Sequence, residues 1–129
     1  MLAARSHQML AILRIVAALC FMEHGLQKLF GFPSVPSFGM PPILTLEGIA
    51  GCVESIGGLL VLVGFRTRIA AFLMSGEMAV GYWLDHAPKS FFPALNGGDA
   101  AILYCFVFLY LVFAGAGAWS IDTRRGVAA

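Results

Sequence analysis

The stretch LTLEGIAGCVESIGGLLVLVG, residues 44–64, decides how this chain folds. A bilayer core about 30 Å thick needs about 20 mostly apolar residues to cross it as a helix. This stretch meets that length with two charged residues, Glu47 and Glu54. It closes on Gly64-Phe65-Arg66-Thr67-Arg68, a turn too short to do anything but send the next segment back alongside it. Working outward, three further segments have the same character: residues 9–30 before it, and residues 67–86 and 99–118 after it. The expected fold is an all-α membrane protein, an antiparallel four-helix transmembrane bundle forming a single domain over residues 1–129.

Composition agrees. Of the 129 residues 60% are hydrophobic and 12% charged, about half the charge of a soluble domain. Such a chain has too little polar surface to cover itself and requires lipid as solvent. The net charge of +1 and the absence of a basic run give no support to a nucleic-acid partner. Cys20, Cys52 and Cys105 lie in apolar runs without a CxxC pair and read as buried small hydrophobes. Arg5 precedes an apolar stretch as in a signal peptide. Arg14 interrupts that stretch and no small-x-small site follows, so the first segment is expected to remain in the mature protein.

The connections set the orientation. Residues 31–42 hold four prolines and cannot be helical throughout. Residues 87–98 include Phe91 and Phe92, suited to the headgroup level. Arg5, Arg66, Arg68, Arg124 and Arg125 fall on one side of such a bundle, and Lys28 and Lys89 on the other. The excess of basic residues places both termini in the cytoplasm.

The apolar segments carry an unusual number of ionisable residues: Arg14, Glu23, His24, Lys28, Glu47, Glu54 and Glu77, with Asp99 opening the last. A charge at the bilayer centre costs at least about 2.5–3.5 kcal/mol, so each is expected to face the interior and find a partner. At 100° per residue, Arg14, His24, Gly25 and Lys28 share one side of the first helix and Glu23 faces away. Glu47, Gly51, Glu54 and Gly58 form one stripe on the second helix, where the pairs Gly48/Cys52 and Gly51/Ser55 allow a neighbour to approach closely. Acids outnumber bases in this zone. Glu54 or Glu77 is therefore expected to hold a proton near neutral pH through desolvation. The plainer reading makes these residues polar glue between helices, with Arg14 snorkelling to the headgroups. No metal-ligand spacing, hydrolase triad, phosphate loop or dinucleotide fingerprint occurs, and His24 with His86 lacks what a haem site requires.

Leu13-Arg14-Ile15 and the run Glu23-His24-Gly25-Leu26-Gln27-Lys28-Leu29-Phe30-Gly31 resemble the opening of the DoxX family. Glu54-Ser55-Ile56-Gly57-Gly58-Leu59-Leu60, the turn 64–68, Asn96-Gly97-Gly98-Asp99-Ala100-Ala101 and Gly115-Ala116-Gly117-Ala118-Trp119-Ser120-Ile121-Asp122 continue the resemblance in order. The family often has Glu at the place of Asp99 and proline at that of Ala116. The resemblance implies a four-span bacterial inner-membrane protein, related to a subunit of a thiosulfate:quinone oxidoreductase and to thiol and oxidative-stress systems.

Three functions follow as expectations. The first is a quinone-linked redox subunit, in which His24, Glu54 and Glu77 deliver protons beside the ring and Arg14, Lys28, Glu47 and Asp99 contact the ligand. Its electrons would come from a protein partner carrying flavin, haem or an iron–sulfur centre, since the chain holds no evident carrier. The second is a non-enzymatic anchor or assembly factor for a soluble oxidoreductase or other membrane proteins. The third is a small proton-coupled transporter working as a homo-oligomer.

Overall fold

Helices and their connections make up the computed structural model, which describes residues 1–127; no strand occurs among them. A 3-10 turn, Ala3–Arg5, leads into α1 (Ser6–Phe30). Then come α2 (Leu46–Val63) and α3 (Thr67–Gly81), the latter running on through a π-helical turn, Tyr82–His86. The short α4 (Pro93–Asn96), α5 (Asp99–Ala114) and short α6 (Ile121–Arg124) complete the order. Two stretches, Ala3–Phe30 and Leu46–Val63, are long and apolar enough to cross a membrane, and α5 is apolar but shorter.

The helix ends follow from local chemistry. The Thr45 hydroxyl accepts from the Gly48 N–H at 3.2 Å and starts α2. Gly31 (φ 65°) and Gly64 (φ 68°) close α1 and α2 in the left-handed conformation that glycine adopts without strain. Gly64 is needed for space as well, because a Cβ there would stand 2.3 Å from Ser120 Cβ. Two expected spans change at their ends. The segment expected over 67–86 leaves α-helical geometry at Gly81 and finishes as the π turn. The segment expected over 99–118 stops at Ala114, because Gly115 (φ 82°, ψ −164°) takes the backbone out of the helix.

Packing joins α1 to α2, α3 to α5, and α2 to α3. The first contact is nearly backbone on backbone: a Cβ on Gly25 would lie 2.4 Å from Ser55 Oγ and 2.8 Å from the Gly51 carbonyl. The core gathers Phe21, Val61, Met74, Phe108 and Leu111, with Phe21 and Phe108 edge to face at 4.9 Å. Ser75 Oγ donates to the Cys105 carbonyl at 2.8 Å and ties α3 to α5. Ile49, Phe72, Leu103, Phe106 and Phe113 are exposed on the outside, a surface suited to hydrocarbon.

One end of the molecule collects the start of α1, the α2–α3 turn and the C-terminal segment. Ala118 N–H donates to the His7 carbonyl at 3.1 Å, and Asp122 N–H to the Gly64 carbonyl at 2.8 Å. The Asp122 carboxylate accepts from the N–H groups of Arg66 and Thr67, each at 2.9 Å, and so caps α3. Burial alone would raise its pKa, but the Thr67 and Arg66 N–H donors and the nearby Arg125 hold it below the usual carboxylate range. Its folded pKa is thus below its unfolded one. The stabilisation is complete above the unfolded value of about 3.9 and is lost as pH falls through the lower folded value. Asp122→Asn is expected to cost about 1–2 kcal/mol at neutral pH. Thermal melts against pH will check it, since the variant's deficit should shrink on the acid side of that window.

Candidate functional site

The site forms at the opposite end, and it begins with a missing side chain. Gly51 stands between Glu47 and Glu54 on one face of α2, and a Cβ there would lie 3.0 Å from Lys28 Cβ. The bare backbone lets the Lys28 stem pass, so that its ammonium meets both acids. Lys28 Nζ donates to Glu54 Oε1 at 2.9 Å and lies 3.4 Å from Glu47 Oε2. Glu54 is 2% exposed, and its second oxygen has no hydrogen-bond partner. Glu77, on α3, has both carboxyl oxygens buried and neither bonded.

These residues line one cavity of about 330 Å³ between α2 and α3, which Lys28, Glu47, Glu54, Glu77 and Asp85 share with apolar side chains such as Leu73 and Val80. Gly76 and Gly81 border it, and a Cβ at either would meet nothing within 4 Å. A second cavity of about 260 Å³ shares part of this lining. Lys28, Glu54 and Asp85 line it too, together with His24, His86 and Tyr104. The Lys28–Glu54 pair is therefore a wall common to two chambers. His24 is exposed, its ring 6.4 Å from that of Tyr104.

Of the residues expected at a site, Lys28, Glu47, Glu54 and Glu77 come together in the first chamber, and His24 stands in the second. Arg14 and Asp99 lie apart. Arg14 neither snorkels nor reaches the cavities: it is 0% exposed and bound wholly to backbone carbonyls. Its Nε donates to Ala116 O at 2.7 Å, and Nη1 to Val61 O at 2.7 Å and to Leu62 O. Nη2 donates to Trp119 O at 3.0 Å and Ala118 O at 3.3 Å. Asp99 is exposed in the first turn of α5, and Glu23 is exposed on α1. The expectation that every charge in the segments faces inward and finds a partner thus fails for Glu23, His24, Asp99 and Glu77, of which Glu77 alone is not exposed.

Asp85 was not among the expected site residues, although it borders both chambers. In a regular α-helix it would be one more polar residue at a segment end. The π turn, closed by Ala87 N–H on the Tyr82 carbonyl at 2.9 Å, re-aims it. The only sequence signal was its place beside His86, just ahead of Pro88. Among the described residues no group of His, Cys, Asp or Glu is arranged to hold a metal ion. The arrangement offers a half-buried ammonium, a buried carboxylate paired to it, and a buried carboxyl with free bonding capacity, on residues that line a chamber large enough for a small molecule.

The DoxX family model matches residues 9–87, which contain every residue of the first chamber. An uncharacterized protein of Haemophilus influenzae is 42% identical over 123 residues, covering 89% of this chain and 89% of its own length. An uncharacterized membrane protein of Mycobacterium tuberculosis is 26% identical, over 87% of this chain and 78% of its own. CatD of Bacillus subtilis, provisionally named an oxidoreductase, is 32% identical over 68 residues, 50% of this chain and 49% of that protein. No solved structure matches. With its apolar helices, its lipid-suited exterior and this match over most of its length, the chain belongs to the DoxX family of membrane proteins.

Proposed function

We propose that this protein is a quinone-linked, redox-associated subunit of a bacterial inner-membrane complex, crossing the bilayer four times with both termini in the cytoplasm. The observation that carries the reading is the buried, unpartnered carboxyl of Glu77, a residue that lines one chamber with Lys28 and Glu54. Arg5, Arg66, Arg68, Arg124 and Arg125 gather at the end that holds the termini, which supports the orientation. The provisional name of CatD supports an oxidoreductase context.

Reducing a quinone to its quinol takes two electrons and two protons. The electrons come from a partner protein carrying flavin, haem or an iron–sulfur centre. Lys28 directs an N–H toward a ring oxygen, and Glu77 passes the first proton to it. His24 supplies the second through Glu54, across the wall between the chambers. Asp85, exposed at both mouths, returns protons from the water side. A ring-sized head group is within what about 330 Å³ accommodates.

Gly76→Phe tests the reading, because its ring has open space to occupy and the fold should remain intact. Native mass spectrometry of protein drawn from its own membranes should find quinone on the unaltered chain and none on this variant. Glu77→Gln should keep the quinone and slow its reduction about 10²-fold or more. Quinone retained at full occupancy in Gly76→Phe would reject the chamber as the site. An anchor for a soluble oxidoreductase is the second reading, favoured by the way Lys28 and Glu54 alone would fix α1 against α2. It expects a bound polypeptide and no quinone on either chain.

A further inference from the structure

A third cavity, apart from the two that share the Lys28–Glu54 pair, lies at the end of the molecule that holds the start of α1 and α6. It measures about 350 Å³ and opens between the α2–α3 turn and the C-terminal segment, lined by Phe65, Arg66, Arg68, Gly115, Asp122 and Arg125. Three arginines therefore line one opening. The single carboxylate among them, Asp122, has both oxygens engaged by backbone N–H groups. Arg68 is braced across the wall by Nη1, which donates to the carbonyls of Val112 at 2.5 Å and Phe113 at 2.7 Å; its Nε and Nη2 have no such bond among the described residues. Arg125 lies over the Phe65 ring at 5.4 Å. Arg66 has φ 49°, a left-handed conformation that glycine or asparagine would hold at less cost. The Asp122 carboxylate keeps it there through its N–H.

A general excess of basic residues on this side would account for Arg5 and Arg124, which stand outside the cavity. It does not account for three arginines converging on one opening, one of them in a strained conformation. We propose that the cavity binds a phosphate group, that of an anionic phospholipid head or a free phosphate. Guanidinium forks match phosphate oxygens in geometry and charge. The cavity lies at the ends of apolar helices, at the level where headgroup phosphates of a surrounding bilayer stand.

The test is thermal unfolding of the full chain in nanodiscs of phosphatidylcholine alone or with phosphatidylglycerol added. Anionic lipid should raise the Tm of the unaltered protein, as expected for a ligand that binds the folded state. Arg66→Gly and Arg125→Gln should each lose most of that rise, while Arg124→Gln, one residue away and outside the cavity, should keep it. Arg66→Gly also controls for folding, since glycine suits φ 49° and should be at least as stable as the parent in phosphatidylcholine. An equal rise from inorganic phosphate in phosphatidylcholine discs assigns the site to free phosphate; a rise with phosphatidylglycerol alone assigns it to the lipid. No rise with either, or an equal loss in Arg124→Gln, overturns the proposal in favour of diffuse surface charge.

Discussion

Replacing Arg14 by methionine is expected to lower the stability of the folded protein by at least about 3 kcal/mol. The reason lies in what its guanidinium holds. Val61 and Leu62 lie in the last turn of α2, where the Val61 carbonyl also accepts from the Gly64 N–H at 3.1 Å and the Leu62 carbonyl has no further turn to receive it; Ala116, Ala118 and Trp119 belong to a segment that has left helical geometry. One cation satisfies all five, at a place with no solvent exposure. Methionine fills much of the volume and leaves four of the five carbonyls without a donor, Val61 keeping the Gly64 N–H. Arg14→Lys should recover little, since a single ammonium cannot span acceptors on two separate segments. Reversible unfolding in detergent will measure both variants, with Arg5→Met as an exposed control expected to fall within about 0.5 kcal/mol of the parent. An Arg14→Met protein as stable as the control would mean that the C-terminal segment docks without this clamp.

Arg14 also marks the limit of what sequence conveys. The helices are legible because apolar length, Pro-rich loops and glycines such as Gly31 and Gly64 act locally, each within a few residues of the feature it creates. The meeting of Lys28, Glu47 and Glu54 is legible for a similar reason. Two acids and Gly51 share one face of α2, and a cation stands at the matching depth of α1. Arg14 has the same helical phase as Lys28, but its partners are backbone carbonyls 47 to 105 residues away, and carbonyls leave no trace in side-chain patterns. Asp85 escapes notice through a different cause. A single turn of π-helix shifts the direction of every side chain in it, and nothing in the composition of Tyr82–His86 announces that shift. Asp99 fits the charge pattern of a site, yet the rotation of α5 about its own axis turns it outward, and α5 is apolar on all sides, so its sequence gives no face to orient by.

The Lys28–Glu54 pair gives the second large effect, and it separates the structural from the functional account of the chamber. Lys28→Met leaves Glu54 as a buried carboxylate without its cation, a change that costs about 3–5 kcal/mol when a buried pair loses one partner. Glu47 cannot compensate, because it carries the same charge as Glu54. The double variant Lys28→Met/Glu54→Gln removes both charges while keeping the volumes similar, and it should return to within about 1 kcal/mol of the parent. Unfolding measurements on the two single variants and the double one will give the coupling, expected to exceed about 2 kcal/mol. If Lys28→Met alone costs nothing, the pair does not hold α1 against α2. The recovered double variant then becomes the informative protein. It has an intact fold, an unaltered Glu77 and a chamber without its ammonium. Should it still bind quinone as the parent does, Lys28 acts only between helices. Should it fold and yet come out of the membrane without quinone, the Lys28–Glu54 pair is there for the ligand, because stability has been restored and binding has not.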